Sequence, residues 1–317
     1  MVDSPLLAAL EGPGLLVLDG AMATELERHG ADLSGGLWSA RLLLDQPELI
    51  ARVHRDYFEA GADVAITASY QASVQGFARL GISPAAAERL IQSAVSLAVT
   101  ARDEFWAGLA DSSRRTRPLV ATSVGPYGAV LADGSEYRGD YDLPYAELVR
   151  FHRDRLEVLV AAGVEVLACE TIPSLLEARA MVEALSGWPE VEAWLSFSAR
   201  NGHQVSDGTS VADCAAYLHD QDQIVAVGVN CTDVRHISDL VRVIAAETHK
   251  PIVVYPNTGE TYDVTQQSWR GSPTAVDFGA LAREWHEAGA RLIGGCCRTR
   301  PADIRAVAAA LKDGLDR

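Results

Sequence analysis

Along the chain, short runs of Val, Ile, Leu and Ala alternate with longer stretches whose apolar residues recur every three or four positions. The short runs are too continuous for half-exposed strands and match strands buried on both faces of a parallel sheet. They predict eight strands: Leu15–Gly20, Asp63–Ser69, Pro118–Gly125, Val164–Thr171, Val191–Ala199, Ile224–Cys231, Pro251–Thr258 and Ala290–Cys297. The longer stretches predict helices over Pro47–Ala60, Pro84–Trp106, Tyr145–Ala162, Ser174–Leu185, Val211–His219, Ile237–Glu247, Phe278–Ala288 and Pro301–Leu311. Gly61, Gly163 and Gly289 stand just before strands, where glycine ends a helix and permits the turn. Eight such units predict a single (β/α)8 barrel, for which about 250 residues is typical. With no Pro/Ser-rich linker, one domain over residues 1–317 is expected, its core at about 15–312. A doubly wound dinucleotide fold would need a glycine fingerprint after the first strand, but Gly20 runs into Ala21-Met22-Ala23.

The 317 residues are 48% hydrophobic and 22% charged, with a formal net charge of −16, a composition that suits a globular protein with a large core. Such acidity repels phosphate backbones, and no Lys/Arg-rich segment offsets it, so nucleic acid is not an expected partner. The two lysines, Lys250 and Lys312, precede Pro251 and Asp313 and complete no Gly-Lys-Ser/Thr phosphate loop. No segment approaches the roughly 20 apolar residues of a bilayer span. The N-terminus lacks the basic and apolar regions of a signal peptide. A cytoplasmic protein without a membrane partner is expected. Its five cysteines, an odd number thinly spread, favour metal or thiol chemistry over a disulfide framework.

Drawn as a barrel, the chain places Asp19, Glu170, Cys231 and the pair Cys296-Cys297 at the ends of strands one, four, six and eight, on one rim. If Glu170 faces the mouth, Val166 and Ala168 line the interior and Cys169 faces the helices. Cys169 and helical Cys214 then read as small buried hydrophobes. Three remaining thiols with one open position suit catalytic zinc, and sulfur is too soft a ligand for magnesium or calcium. None of the eight histidines ends a strand. Gly294-Gly295 would let the backbone bend so that both following cysteines face one ion. The alternatives are a vicinal disulfide or unrelated thiols.

A metal with one vacancy can hold a substrate thiol as thiolate at neutral pH. Methyl transfer from a positively charged donor is a natural partner reaction. Asp19 and Glu170 could hold an ammonium group; for Asp19-Gly20 the alternative is an ordinary turn. Two long connections leave the same rim: Pro126–Asp142, with Tyr127, Tyr137 and Tyr141, and Gly259–Val276, with Tyr262, Trp269 and Arg270. They read either as functional loops or as plain surface.

Seven motifs carry a resemblance: Leu18-Asp19-Gly20-Ala21-Met22-Ala23-Thr24-Glu25-Leu26, Thr67-Ala68-Ser69-Tyr70-Gln71-Ala72, Ser123-Val124-Gly125-Pro126-Tyr127-Gly128-Ala129, Glu170-Thr171-Ile172-Pro173, Gly228-Val229-Asn230-Cys231, Tyr255-Pro256-Asn257-Thr258-Gly259-Glu260 and Gly294-Gly295-Cys296-Cys297-Arg298-Thr299. Spanning nearly the whole chain, they resemble the homocysteine S-methyltransferases, most closely the bacterial members that use S-methylmethionine. The resemblance implies a (β/α)8 barrel, one zinc ion on Cys231, Cys296 and Cys297, and homocysteine sulfur as fourth ligand. It implies contacts from Asp19 and Glu170 to the homocysteine amino group, with Asn230 also at that substrate. Tyr70, Tyr127, Asn257 and Trp269 become candidate donor or rim contacts, and no general acid or base is expected. The chain carries neither extra cofactor domains nor an oligomerisation arm, which points to a small sulfonium donor, S-methylmethionine before S-adenosylmethionine, and to a monomer. The alternatives are a betaine donor, a selenocysteine-type acceptor, or a non-catalytic zinc-thiolate protein that senses redox state or metal.

Overall fold

The computed structural model describes residues 4–12, 14–33, 38–112, 115–259, 261–263, 268–270 and 276–312. Eight strands form one parallel sheet: β1 (Leu16–Val17), β2 (Val64–Ile66), β3 (Leu119–Val124), β4 (Val166–Ile172), β5 (Ala193–Phe197), β6 (Ile224–Asp233), β7 (Ile252–Asn257) and β8 (Ala290–Ile293). Their order, β1-β8-β7-β6-β5-β4-β3-β2, is that of a (β/α)8 barrel. The ring closes where Leu18 bridges Val64 and the Asp19 N–H donates to Val64 O at 3.0 Å.

Alternation along each strand sorts its side chains as a barrel requires. Val166 and Ala168 point inward to a cluster with Leu18, Val64, Trp194, Val253 and Leu292. Leu167 and Cys169 point outward to the helix layer. The bottom of the barrel is filled by a helix the periodicity does not predict, Pro5–Glu11, capped by the Ser4 hydroxyl accepting from Leu7 N–H. Its Leu6 and Leu10 join the interior cluster. Between β1 and β2 the expected helix Pro47–Ala60 is present, preceded by two more, Met22–Arg28 and Trp38–Asp45. Gly61 and Gly289 end their helices at φ 112° and 126°, as their positions before strands led one to expect.

The strand ends differ from the sequence reading. β8 stops at Ile293, so Cys296 and Cys297 lie in the turn beyond it, and β6 continues past Cys231 to Asp233. The loop after β3 is partly folded, with a helix at Tyr127–Leu131 and a 3-10 turn at Ser135–Tyr137. After β7, Thr261–Asp263 pairs antiparallel with Ser268–Arg270. Trp269 lies on that hairpin, and its side chain falls outside the described residues. Among the described residues no helix is long and apolar enough to cross a membrane.

Candidate active site

The three rim thiols meet. Cys231 Sγ lies 2.8 Å from Cys296 Sγ and 3.6 Å from Cys297 Sγ, and the last two are 4.0 Å apart. All five cysteines are free, so the vicinal pair is not a disulfide. Cys169 and Cys214 are buried, and burial pushes each thiol up to about 12. The rim three remain partly exposed. Thiol donation from Cys296 and Cys297 holds Cys231 well below the ordinary thiol range. Their hydrogen bonds to Cys231, and then its charge, in turn raise the other two. A cluster that can carry one negative charge alone, but not three, calls for a cation.

Backbone contacts between distant strands build this cluster. A Cβ on Gly294 would lie 2.6 Å from Leu18 Cβ, and one on Gly295 2.5 Å from Thr299 Cγ2. Gly294 therefore serves close approach of the last strand to the first and Gly295 that of Thr299 to the turn, and neither has positive φ. Gly295 N–H donates to Asp19 O at 3.1 Å and Cys296 N–H to Pro256 O at 2.8 Å. Thr299 N–H closes the turn onto Cys296 O at 3.1 Å, with Arg298 at φ 71°. Asn257 Oδ1 accepts from Cys297 N–H at 3.1 Å, which makes Asn257 a support for a thiol.

Across the mouth, Asp19 and Glu170 are 3% and 6% exposed. Asp19 Oδ2 accepts from Ile66 N–H at 2.8 Å. Burial raises Asp19 well above the carboxylate range, and the charge of Glu170 adds to the rise. Burial lifts Glu170 to about 7, against hydrogen bonds from Ser123 and Tyr255 that lower it. The Ser123 hydroxyl donates to Glu170 Oε1. Two buried acids, one raised further by the charge of the other, with no ion pair to either among the described residues, form a receptor for a cation.

Asn230 is wholly buried. Its Oδ1 accepts from Thr171 N–H at 2.7 Å and Ser196 Oγ at 2.9 Å, while Nδ2 donates to Thr171 Oγ1 at 2.8 Å. The clamp holds Thr171 at φ 61°, a costly conformation for a β-branched residue. Cys231 follows Asn230 at φ 47°. Of the four non-glycine residues at positive φ among those described, Thr171, Cys231 and Arg298 each are, or adjoin, a rim residue.

The chain matches the family profile described as homocysteine S-methyltransferase over residues 16–311. The chain belongs to the homocysteine S-methyltransferase family. It is 55% identical over 306 residues to homocysteine S-methyltransferase YbgG of Bacillus subtilis, covering 96% of this chain and 97% of the relative. The metallated form of the homocysteine methyltransferase MmuM from Escherichia coli superposes with a TM-score of 0.87 at 45% identity, over 96% of this chain and 99% of that one. A selenocysteine Se-methyltransferase of Brassica oleracea var. italica is 47% identical, over 94% of this chain and 89% of that one. Membership makes the chain an enzyme that methylates homocysteine, which sets aside a purely non-catalytic sensor.

Within this homocysteine S-methyltransferase the tyrosines separate. Tyr70 packs against Gly125, where a Cβ would lie 2.6 Å from its ring. Its hydroxyl is buried without a partner and feels the charge of Cys231. Tyr127 instead packs edge-on against Tyr141 and Phe151, at 5.4 and 5.0 Å between ring centroids, and donates its N–H to Glu177 at 2.6 Å. The tyrosine brought to the thiols is Tyr137, its hydroxyl 3.8 Å from Cys231 Sγ. Arg155 was also not singled out in the sequence. Its buried guanidinium donates to the carbonyls of Ser69, Tyr70 and Gly125 at 2.6–2.8 Å, pinning the ends of β2 and β3. The signal was present, since Arg155 falls on the apolar stripe of its helix with Phe151, His152 and Leu159.

Proposed function

We propose that the protein converts homocysteine to methionine with a sulfonium donor, S-methylmethionine before S-adenosylmethionine, at a zinc ion held by Cys231, Cys296 and Cys297. One observation carries the reading: three partly exposed thiols and two buried, unpaired carboxylates share one rim. The donor set suits zinc. Bonds of about 2.3 Å at tetrahedral angles set sulfurs about 3.8 Å apart, and two of the three separations, 3.6 and 4.0 Å, lie close to that. The Cys231–Cys296 pair would open by about 1 Å to match. Zinc there would keep a substrate sulfur deprotonated at neutral pH.

The remaining work falls to the chain's own residues. Asp19 and Glu170 bind the homocysteine ammonium group, and their burial strengthens the attraction. Asn230 holds the backbone at Thr171 and so aims Glu170, while Asn257 holds Cys297. In the transfer, a carbon–sulfur bond forms to homocysteine sulfur as the sulfonium carbon–sulfur bond breaks. The broken pair stays on the leaving sulfur, which becomes a neutral thioether. The thiol proton leaves beforehand, and no side chain is needed to move a proton during the transfer; positioning supplies the rate.

The test mixes zinc-loaded protein with homocysteine and, separately, S-methylmethionine, S-adenosylmethionine and betaine, and measures methionine. Product is expected with S-methylmethionine. No product with any donor overturns the proposal, and product with betaine alone reassigns the donor. Because a relative is named for selenocysteine, an arm with that acceptor is included. Faster turnover of selenocysteine than of homocysteine would make it the preferred acceptor.

A further inference from the structure

The 3-10 turn Ser135–Tyr137 carries a group that the proposed mechanism leaves unused. Glu136 sits between Tyr137, whose hydroxyl contacts Cys231, and Ser135. Its Oε2 is buried with no hydrogen-bond partner, and so is the Tyr70 hydroxyl. Tyr70 feels the charge of Glu136, and both feel that of Cys231. A buried carboxylate oxygen left without a partner, in a turn whose next residue touches Cys231, marks a place where a cationic ligand can supply the missing charge. The loop's one cation, Arg138, counters the rise in Glu136 only in small part. Arg138 donates to both oxygens of Asp140 at 3.1 and 3.2 Å.

The turn is also built to stay in place. A Cβ on Gly128 would lie 2.4 Å from Glu136 N, so the preceding helix presses directly on the turn. Arg138 and Gly139 N–H groups both donate to Ser135 O, at 3.0 and 2.8 Å. Asp133 Oδ1 accepts from Ser135 N–H at 2.9 Å. Burial raises Glu136 to about 7, the mark of a carboxylate whose counter-charge is missing.

On the reading that the donor is a sulfonium, we propose that Glu136 is the specificity-determining residue that recognises the donor's positive charge. Homocysteine's ammonium already has two carboxylates, Asp19 and Glu170, whereas the donor's charge has no other acid assigned to it. A carboxylate beside a charge that is lost during transfer favours the bound donor over the transition state. Its removal therefore acts on donor KM more than on kcat.

The experiment compares wild type, Glu136→Gln and Glu136→Asp, all zinc-loaded. Steady-state kinetics give KM for S-methylmethionine and for homocysteine separately, and calorimetry measures S-methylmethionine binding without turnover. Glu136→Gln should raise donor KM and weaken donor binding by about tenfold to a hundredfold, the value of a coulombic contact between unlike charges in a partly buried site. Homocysteine KM should stay within about twofold, which also reports an intact fold, and Glu136→Asp should recover most of the loss. A Gln variant equal to wild type overturns the assignment, as does one in which both KM values rise together. Wild-type protein that methylates homocysteine from betaine and from neither sulfonium refutes the donor reading itself, an outcome distinct from failure of Glu136 alone.

Discussion

Cys231 is the thiol on which the proposed metal site turns, because it makes the two shortest of the three sulfur–sulfur approaches. Cys231→Ala should lose stoichiometric zinc and all turnover together. Metal analysis of the purified variant checks this, and retained zinc would refute the ligand set. Glu170 offers a second test because its function opposes its stability. Burial lifts the carboxyl from an ordinary 4.5 to about 7, so the folded state holds the proton more tightly than the unfolded chain. The sign follows: this group's contribution is most favourable below pH 4.5 and falls as pH rises to 7, by up to about 3 kcal/mol. Glu170→Gln, which cannot ionise, should raise Tm at pH 8 by about 5 °C and lose much of that advantage near pH 4.5. It should also raise homocysteine KM about tenfold, since an ammonium loses a charged acceptor. Thermal scans at the two pH values and steady-state kinetics check both halves.

At the scale of elements, a hydrogen-bonded path links the barrel core to the rim. Trp194 Nε1 donates to Tyr255 OH at 3.1 Å, Ser196 Oγ lies 2.8 Å from the same oxygen, and Ser196 donates to Asn230, which clamps Thr171. Four strands, β4 to β7, thus share one network, and Asn230 is its hub. Asn230→Ala should cost about 3 kcal/mol, because Thr171 and Ser196 are left with buried unsatisfied groups. It should raise homocysteine KM through misaimed Glu170; urea titration and kinetics measure the two. The strands themselves were legible because burial on both faces leaves continuous apolar runs. Their ends were less so: Ala290–Cys297 looks like one apolar run, yet β8 stops at Ile293. Pairing partners end a strand, and these are set by β7 and β1 rather than by local composition.

For the whole molecule, the barrel has two ends with separate duties. The bottom is closed by the helix Pro5–Glu11, whose Leu6 is fully buried, while the rim carries the thiols and acids. Leu6→Ala should cost about 2–5 kcal/mol, the usual range for a large-to-small core change. It should leave homocysteine KM unchanged, which denaturant midpoints and kinetics would report together. A rise in KM would mean that the two ends are coupled. That helix escaped the periodicity because seven residues are too few to establish a repeat, and its partners lie on strands far along the chain.

By itself the sequence determined the number of barrel strands, the barrel class, and which reactive side chains gather on one rim. Each of these follows from short-range periodicity, burial and residue chemistry. Only the tertiary structure decided which atoms meet. Tyr137, not Tyr127, reaches Cys231, 94 positions away. Asn230 and Asn257 turn inward to support the rim, and Glu136, half-buried beside it, is left with its buried Oε2 unpartnered. These outcomes depend on contacts between residues distant in sequence and on backbone held at positive φ by neighbouring strands. Neither leaves a periodic trace in the order of the amino acids, because the constraint comes from closing the ring and not from any one segment of it.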